Sequence, residues 1–233
     1  MDTIITEYYK KNKDTLMEIF HTNEGSIDGR ICHPSIIILN ILSNIITINN
    51  YLEIGVHNGG SMSMLLASHQ AVNMYGIDLF EDMYDIDKHL NAEKFVTYQY
   101  FRRDNLSNHK TTLNLNKLKE TYKNNSTINL IQGNSYFDDT EEKFKHAIGG
   151  DKLDLLFIDG DHTLDGVKND YLRYSKFVRD GGYIIFDDYH HAVIKEYVDE
   201  ILENDKSLEL IYKFKCEATP AIDVLIRKNT GSI

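Results

Sequence analysis

Seven short apolar runs punctuate the chain, and between most of them the apolar positions switch to steps of three and four. YLEIGV at residues 51–56, NMYGIDLF at 73–80, INLIQGNS at 128–135, KLDLLFIDGD at 152–161, GGYIIFDDY at 181–189, LELIYKF at 208–214 and AIDVLIRK at 221–228 each read as a strand. Near-continuous apolar runs suit strands buried on both faces, and the helical stretches between them supply the covering layers. Leu164, Val167, Tyr171, Tyr174 and Val178 form one apolar stripe, as a crossover helix packed on a sheet requires, and Gly181 and Gly182 are expected to stop it. The last two runs are joined by KCEATP with no helix between, which predicts an antiparallel hairpin at one sheet edge. The expected architecture is α/β: a Rossmann-like three-layer αβα sandwich whose seven-stranded, mostly parallel sheet has six parallel strands and one antiparallel edge strand.

Outside the sheet, residues 7–20 and 34–48 read as helices joined by the loop NEGSIDGR, with Pro34 suited to a first helical turn, where its missing N–H costs nothing. Residues 81–127 are too long for a loop, rich in charge and tyrosine, and without a strand-like run beyond FVTYQYF; they are expected to be a mainly helical insertion over the top of the sheet. At 233 residues and 42% hydrophobic positions the chain holds one sizeable core, hence a single domain over 1–233: helices in 1–50, the core in 51–80 and 128–233.

The formal charge of -11, from 36 acids against 25 bases, repels a polyanion and argues against nucleic acid as a partner. Cys32 and Cys216 form no CxxC pair, so neither a disulfide framework nor a zinc site is suggested. The N-terminus is charged within ten residues and no run approaches the roughly 18 apolar residues of a membrane span, so a cytoplasmic protein with no membrane partner is expected.

The turn in LEIGVHNGGS is where chemistry enters. A dinucleotide fingerprint, GxGxxG, places its second glycine where the backbone meets a pyrophosphate, and here that place is His57. Glu53, two residues before Gly55, would repel a phosphate and suit a cation. Asp78, about twenty residues after the glycines and at the end of the next strand, is placed to accept both hydroxyls of a ribose. A nucleoside with a cationic, amino-acid-like tail and no phosphate fits both, and S-adenosylmethionine is that molecule.

Glu53-Ile-Gly-Val-His-Asn-Gly-Gly, Asp78, Gly133-Asn134-Ser135, Asp159-Gly-Asp-His162 and Asp187-Asp188 together resemble the class I S-adenosylmethionine-dependent methyltransferases. More narrowly, they resemble the metal-dependent O-methyltransferases related to macrocin O-methyltransferase and cephalosporin hydroxylase-like proteins. The resemblance covers roughly residues 50–230. It implies that Gly55 and Ser61 line the methionine end, with Glu53, His57 and Asp159 in the same cofactor site. Asp78 would then take the ribose, and Asn134 with Ser135 the adenine. Leu164 stands where Tyr is expected and Asn134 where Asp is common, which bears on acceptor contacts and adenine affinity.

If the strands ending at Asp159 and at Asp187-Asp188 are neighbours, about 4.8 Å apart, three carboxylates converge. Bare, they repel; a hard divalent cation resolves this, so Asp159, Asp187 and Asp188 are assigned to Mg²⁺. The base is expected to be His162 or Asp161, although Asp161 equally suits the N-terminal charge of the following helix. His190 and His191 are further candidates to face the acceptor. Arg102 and Arg103 could clamp a phosphate of a nucleotide-linked sugar, or form a solvated helix face. The expected activity is O-methylation of a small polyhydroxylated acceptor by a homodimer, with a sugar first and a catechol or phenol second. A non-catalytic S-adenosylmethionine-binding protein is the alternative of another class.

Overall fold

The computed structural model describes residues 1–28, 33–80, 107–217 and 219–229. Its strands are β1 (Asn50–Ile54), β2 (Asn73–Asp78), β3 (Thr127–Gln132), β4 (Leu153–Ile158), β5 (Val178–Phe186), β6 (Leu208–Lys215) and β7 (Ile222–Lys228). All seven fall on the predicted runs, and they form one sheet in the order β3-β2-β1-β4-β5-β7-β6. β1 through β5 pair in parallel. β7 lies antiparallel to both β5 and β6, which gives the expected hairpin at the edge. The reversed member is β7, one place in from the rim; β6, outermost, shares the direction of the other five.

Alternating residues of each strand feed two cores. Tyr51, Leu155, Phe157, Ile185 and Leu225 pack toward α1 (Asp2–Ser26), α2 (Ile37–Ile45), α3 (Gly60–Leu66) and α4 (Asn108–Tyr122). Leu52, Leu156, Ile158, Ile184 and Ile226 pack toward α5 (Asp138–Ile148), α6 (Leu164–Tyr174) and α7 (Ala192–Asn204). This is the αβα sandwich, and it fixes which way each residue at a strand end points.

The helices depart from expectation in three places. α1 runs three turns further than residues 7–20 suggested, taking in the first part of NEGSIDGR, with Ile5, Leu16 and Phe20 buried at helical spacing. The 34–48 segment resolves into a 3₁₀ turn, Pro34–Ile36, leading into α2. The stripe assigned to α6 is also corrected. Val167, Tyr171 and Tyr174 are buried as expected, but Leu164 is 49% exposed and the helix ends at Tyr174. Val178 is buried as the first residue of β5, and Gly181 and Gly182 lie inside that strand. There the register with β4 shifts and Gly181 takes a φ of 74°, so the pair serves a bulge rather than a helix stop.

Within the 81–127 insertion, α4 is helical and packs on α3. Residues 81–106, with FVTYQYF, Arg102 and Arg103, lie outside the described residues, as does Cys32. Among the described residues no helix is long and apolar enough to cross a membrane, and Cys216 is a buried free thiol.

Candidate active site

The strand order reverses between β1 and β4, and open parallel sheets bind ligands in the crevice at the carboxyl side of such a point. The parallel ladder continues past the strand ends there: the Asp159 N–H donates to the Ile54 carbonyl at 2.9 Å, and the Asp187 N–H to that of Ile158 at 3.1 Å. This draws the Gly55 turn against the Asp159 backbone. Gly55 has a φ of 90°, and a Cβ at this position would overlap the Asp159 carbonyl oxygen. His57 follows, also left-handed at φ 51°. Its backbone N–H donates to Asp78 Oδ2 at 2.7 Å, while the Phe80 N–H donates to Oδ1 at 2.9 Å. Asp78 thereby ties the ends of β1 and β2 together.

Glu53 is fully buried beneath this turn and accepts a 2.8 Å hydrogen bond from the Tyr51 hydroxyl. Burial pushes its pKa up to about 8, against the opposing effect of the Tyr51 and Ser61 hydroxyls. Because the folded value lies above the unfolded one, the native state is favoured while both forms are protonated, and that advantage is lost as pH rises from the ordinary carboxylate range through about 8. In metal-free buffer the melting temperature should therefore fall across this window by several degrees, and Glu53→Gln should flatten the fall. Thermal melts from pH 5 to 9 check this; equal slopes in the two proteins would contradict it.

Strand register assembles the acids. Ile158 pairs with Phe186 and Phe186 with Val224, so Asp159 and Asp187, one step beyond, and Asp223, at the start of the reversed strand, lie side by side. All three share the face of Phe157, Ile185 and Leu225 by alternation, as Glu53 shares that of Tyr51. The Asp187 carboxyl sits between the other two, close enough to hydrogen-bond with either when one of a pair is protonated. Burial and the neighbouring carboxylates hold Asp159, Asp187 and Asp223 well above the usual range.

Sequence reasoning missed Asp223. Its signal was a lone acid in the otherwise apolar start of AIDVLIRK, but only the reversed pairing with β5 ties it to Asp187.

Asp188 behaves differently from the expected trio. It is left-handed, at φ 53°, and its buried carboxylate turns toward imidazoles: His162 Nδ1 at 3.2 Å, His190 Nδ1 at 3.5 Å and His191 Nε2 at 3.9 Å. The other face of His162 places Nε2 3.3 Å from Asp159 Oδ1. Asp159, His162 and Asp187 thus offer ligand atoms within 4.8 Å of one another, and Asp188, His190 and His191 form a second such group. The residues present fit a cation: buried acids of one sign, destabilised by their own proximity, converge on one place.

Asp161 is occupied elsewhere. Its carboxylate accepts from the Thr163 N–H at 3.0 Å, the Thr163 hydroxyl at 2.9 Å and the Tyr136 hydroxyl at 2.9 Å, at the start of α6. Asn134 accepts from the Tyr136 N–H at 2.9 Å, and the Ser135 carbonyl accepts from the Tyr174 hydroxyl at 3.2 Å. Asp170, buried beneath Gly160 with its pKa raised by burial to about 7, lies beside Ser135. These contacts join the turn after β3 to the turn after β4, so the two form one wall of the crevice.

A doubly wound sheet with a glycine turn at its switch point, an acid closing β2 and a carboxylate row at the tips of β4 and β5 defines the Rossmann-like methyltransferase class. The sequence profile of a family described as a methyltransferase domain matches residues 52–189, and the chain belongs to that family. Among curated proteins it is similar to uncharacterized protein R132 of Acanthamoeba polyphaga mimivirus, 31% identical over 163 residues. That match covers 69% of this chain and 62% of the viral protein, so the chain spans less than two thirds of its relative's length.

The fold is similar to that of solved O-methyltransferases. TomG from Streptomyces achromogenes, solved with S-adenosylmethionine, matches with a TM-score of 0.58 at 12% identity, over 99% of this chain and 91% of TomG. NovP matches with a TM-score of 0.57 at 21% identity, over 93% and 80%. A Bacillus cereus O-methyltransferase solved with S-adenosylhomocysteine gives 0.58 at 15% identity, over 92% and 91%.

Proposed function

We propose that the protein is an S-adenosylmethionine-dependent O-methyltransferase that uses Mg²⁺ to methylate a hydroxyl of a small polyhydroxylated acceptor, a sugar or nucleotide-linked sugar. The observation that carries the reading is the buried row Asp159, Asp187 and Asp223 beside His162, at the switch point of a methyltransferase-family fold.

S-adenosylmethionine supplies the methyl group on a sulfonium. Asp78 is the ribose residue: each of its oxygens takes one backbone N–H and keeps a lone pair for a hydroxyl. Glu53, Gly55, His57 and Ser61 form the wall at the methionine end, where a cationic tail would favour the ionised form of Glu53 that burial alone disfavours. Asn134 and Ser135, anchored through Tyr136 and Tyr174, border the adenine end.

Mg²⁺, held by Asp159 and Asp187 with Asp188 and Asp223 close at hand, would supply Lewis acidity that lowers the pKa of an acceptor hydroxyl. His162 is the base of this reading. Its ring nitrogens lie 3.3 Å from Asp159 Oδ1 and 3.2 Å from Asp188 Oδ2, which fix the orientation of the ring beside the acidic row. Asp161, already accepting three hydrogen bonds, is the weaker choice.

The test is a labelled methyl-donor assay over free sugars, nucleotide sugars and catechols, with and without Mg²⁺. Transfer to a sugar hydroxyl is expected, falling at least about 100-fold in EDTA and recovering with added Mg²⁺. Full activity in chelator would remove the metal, and exclusive catechol turnover would replace the acceptor.

A further inference from the structure

His190 and His191, beside Asp188, have no part in the methyl transfer proposed for the acidic row and His162. Asp188 Oδ1 is buried without a hydrogen-bond partner. His190 Nδ1 lies 3.5 Å from that atom, and His191 Nε2 lies 3.9 Å from Oδ2. Ion pairs made in earnest close to about 2.7–2.9 Å, so these imidazoles stand too far back to be satisfied by the carboxylate alone. Donors on a four-coordinate ion with bonds of about 2.0–2.2 Å stand roughly 3.3–3.6 Å from one another, and one ligand atom from each of Asp188, His190 and His191 already lies within 4.8 Å of the others.

We propose that Asp188, His190 and His191 form a second cation site, selective for a borderline divalent transition-metal ion of the zinc class, with His162 linking it to the acidic row. The chemistry of the donors sets the selectivity. Two imidazole nitrogens and one carboxylate suit zinc, cobalt or nickel, whereas Mg²⁺ requires oxygen ligands and belongs with Asp159 and Asp187.

The backbone supports the separation. Ordinary strand geometry would carry Asp188 out of the crevice on the face opposite Asp187; its left-handed turn, closed by the His191 N–H donating to the Asp188 carbonyl at 2.8 Å, brings the two histidines back over the carboxylate. The His190 and His191 rings meet edge to face at 4.4 Å, which holds both nitrogens near one point. His191 is half open to solvent, so an ion has a way in. An ion here would draw Asp188 away from His162 Nδ1, so occupancy of the histidine site bears directly on the residue assigned as base.

The site can be tested without methyl transfer, so its failure and that of the O-methyltransferase reading are distinguishable. Titrating the full chain with Co²⁺ in saturating Mg²⁺, which keeps the Asp159, His162 and Asp187 group filled, should give a visible absorption band of a four-coordinate nitrogen and oxygen site, saturating at one ion per chain. Zn²⁺ should displace it and excess Mg²⁺ should not. His190→Gln together with His191→Gln should weaken Co²⁺ binding at least about tenfold, whereas Asp187→Asn should leave it within a few-fold. A wild-type protein with no saturable band, an unchanged affinity in the double variant, or an equal loss in Asp187→Asn would each overturn the proposal. Circular dichroism establishes that the variants are folded, and His191→Gln alone carries the same expectation if the double variant is not.

Discussion

Asp187→Asn should reduce Mg²⁺-stimulated methyl transfer by about three orders of magnitude while leaving S-adenosylmethionine affinity within a few-fold. Asp187 is the middle member of the row, reaching both Asp159 and Asp223, and no other acid among the described residues bridges the two. A loss of that size corresponds to about 4 kcal/mol of barrier, within what a divalent ion contributes as a Lewis acid. The substitution keeps shape and removes charge, so the cation-free protein should hold or gain stability, since three crowded buried carboxylates become two. Steady-state kinetics with calorimetric cofactor binding and a thermal melt in chelator separate the cases. An equal fall in cofactor affinity, or a lower melting temperature in chelator, would mean that Asp187 holds the fold rather than the ion.

Gly55→Ala should be the most damaging single methyl group that can be added to the crevice. A side chain at φ 90° is strained whatever the space, and here the space is taken by the Asp159 carbonyl. Relief requires β1 and β4 to part at the point where the ladder continues through Asp159 N and Ile54 O. We expect a loss of more than about 3 kcal/mol, read as a fall of roughly 10 °C in melting temperature or as failure to recover soluble protein, with cofactor binding lost alongside. A folded variant with wild-type melting temperature and affinity would refute the close approach.

The strands were legible because a buried parallel strand needs a short apolar run and little else, and each of the seven sits on one. The same logic explains what was not legible. Nothing within AIDVLIRK says that β7 inserts antiparallel between β5 and β6, so Asp223 read as an isolated acid although it completes the row. Gly181 and Gly182 carry a helix-stop signature that belongs instead to a bulge, because tertiary pairing with β4 outweighs the local cue. Asp187-Asp188 reads as one acidic pair; the left-handed turn at Asp188, a backbone choice invisible in the letters, sets its carboxylate beside imidazoles while it still faces the acidic row. Nothing in the letters separates Asp161 from His162; only the fold shows that Asp161 accepts from the Tyr136 and Thr163 hydroxyls. Residues at the tips of strands are read well as to type, and poorly as to partner.

The reversed strand has one more effect. Because Asp159, Asp187 and Asp223 come from three separate strands, a single ion held among them would rivet the rim hairpin to the middle of the sheet, 64 positions of chain apart at its extremes. Loading the ion and clamping the last strand would then be the same event, and fraying of that rim would empty the site before the rest of the protein began to melt.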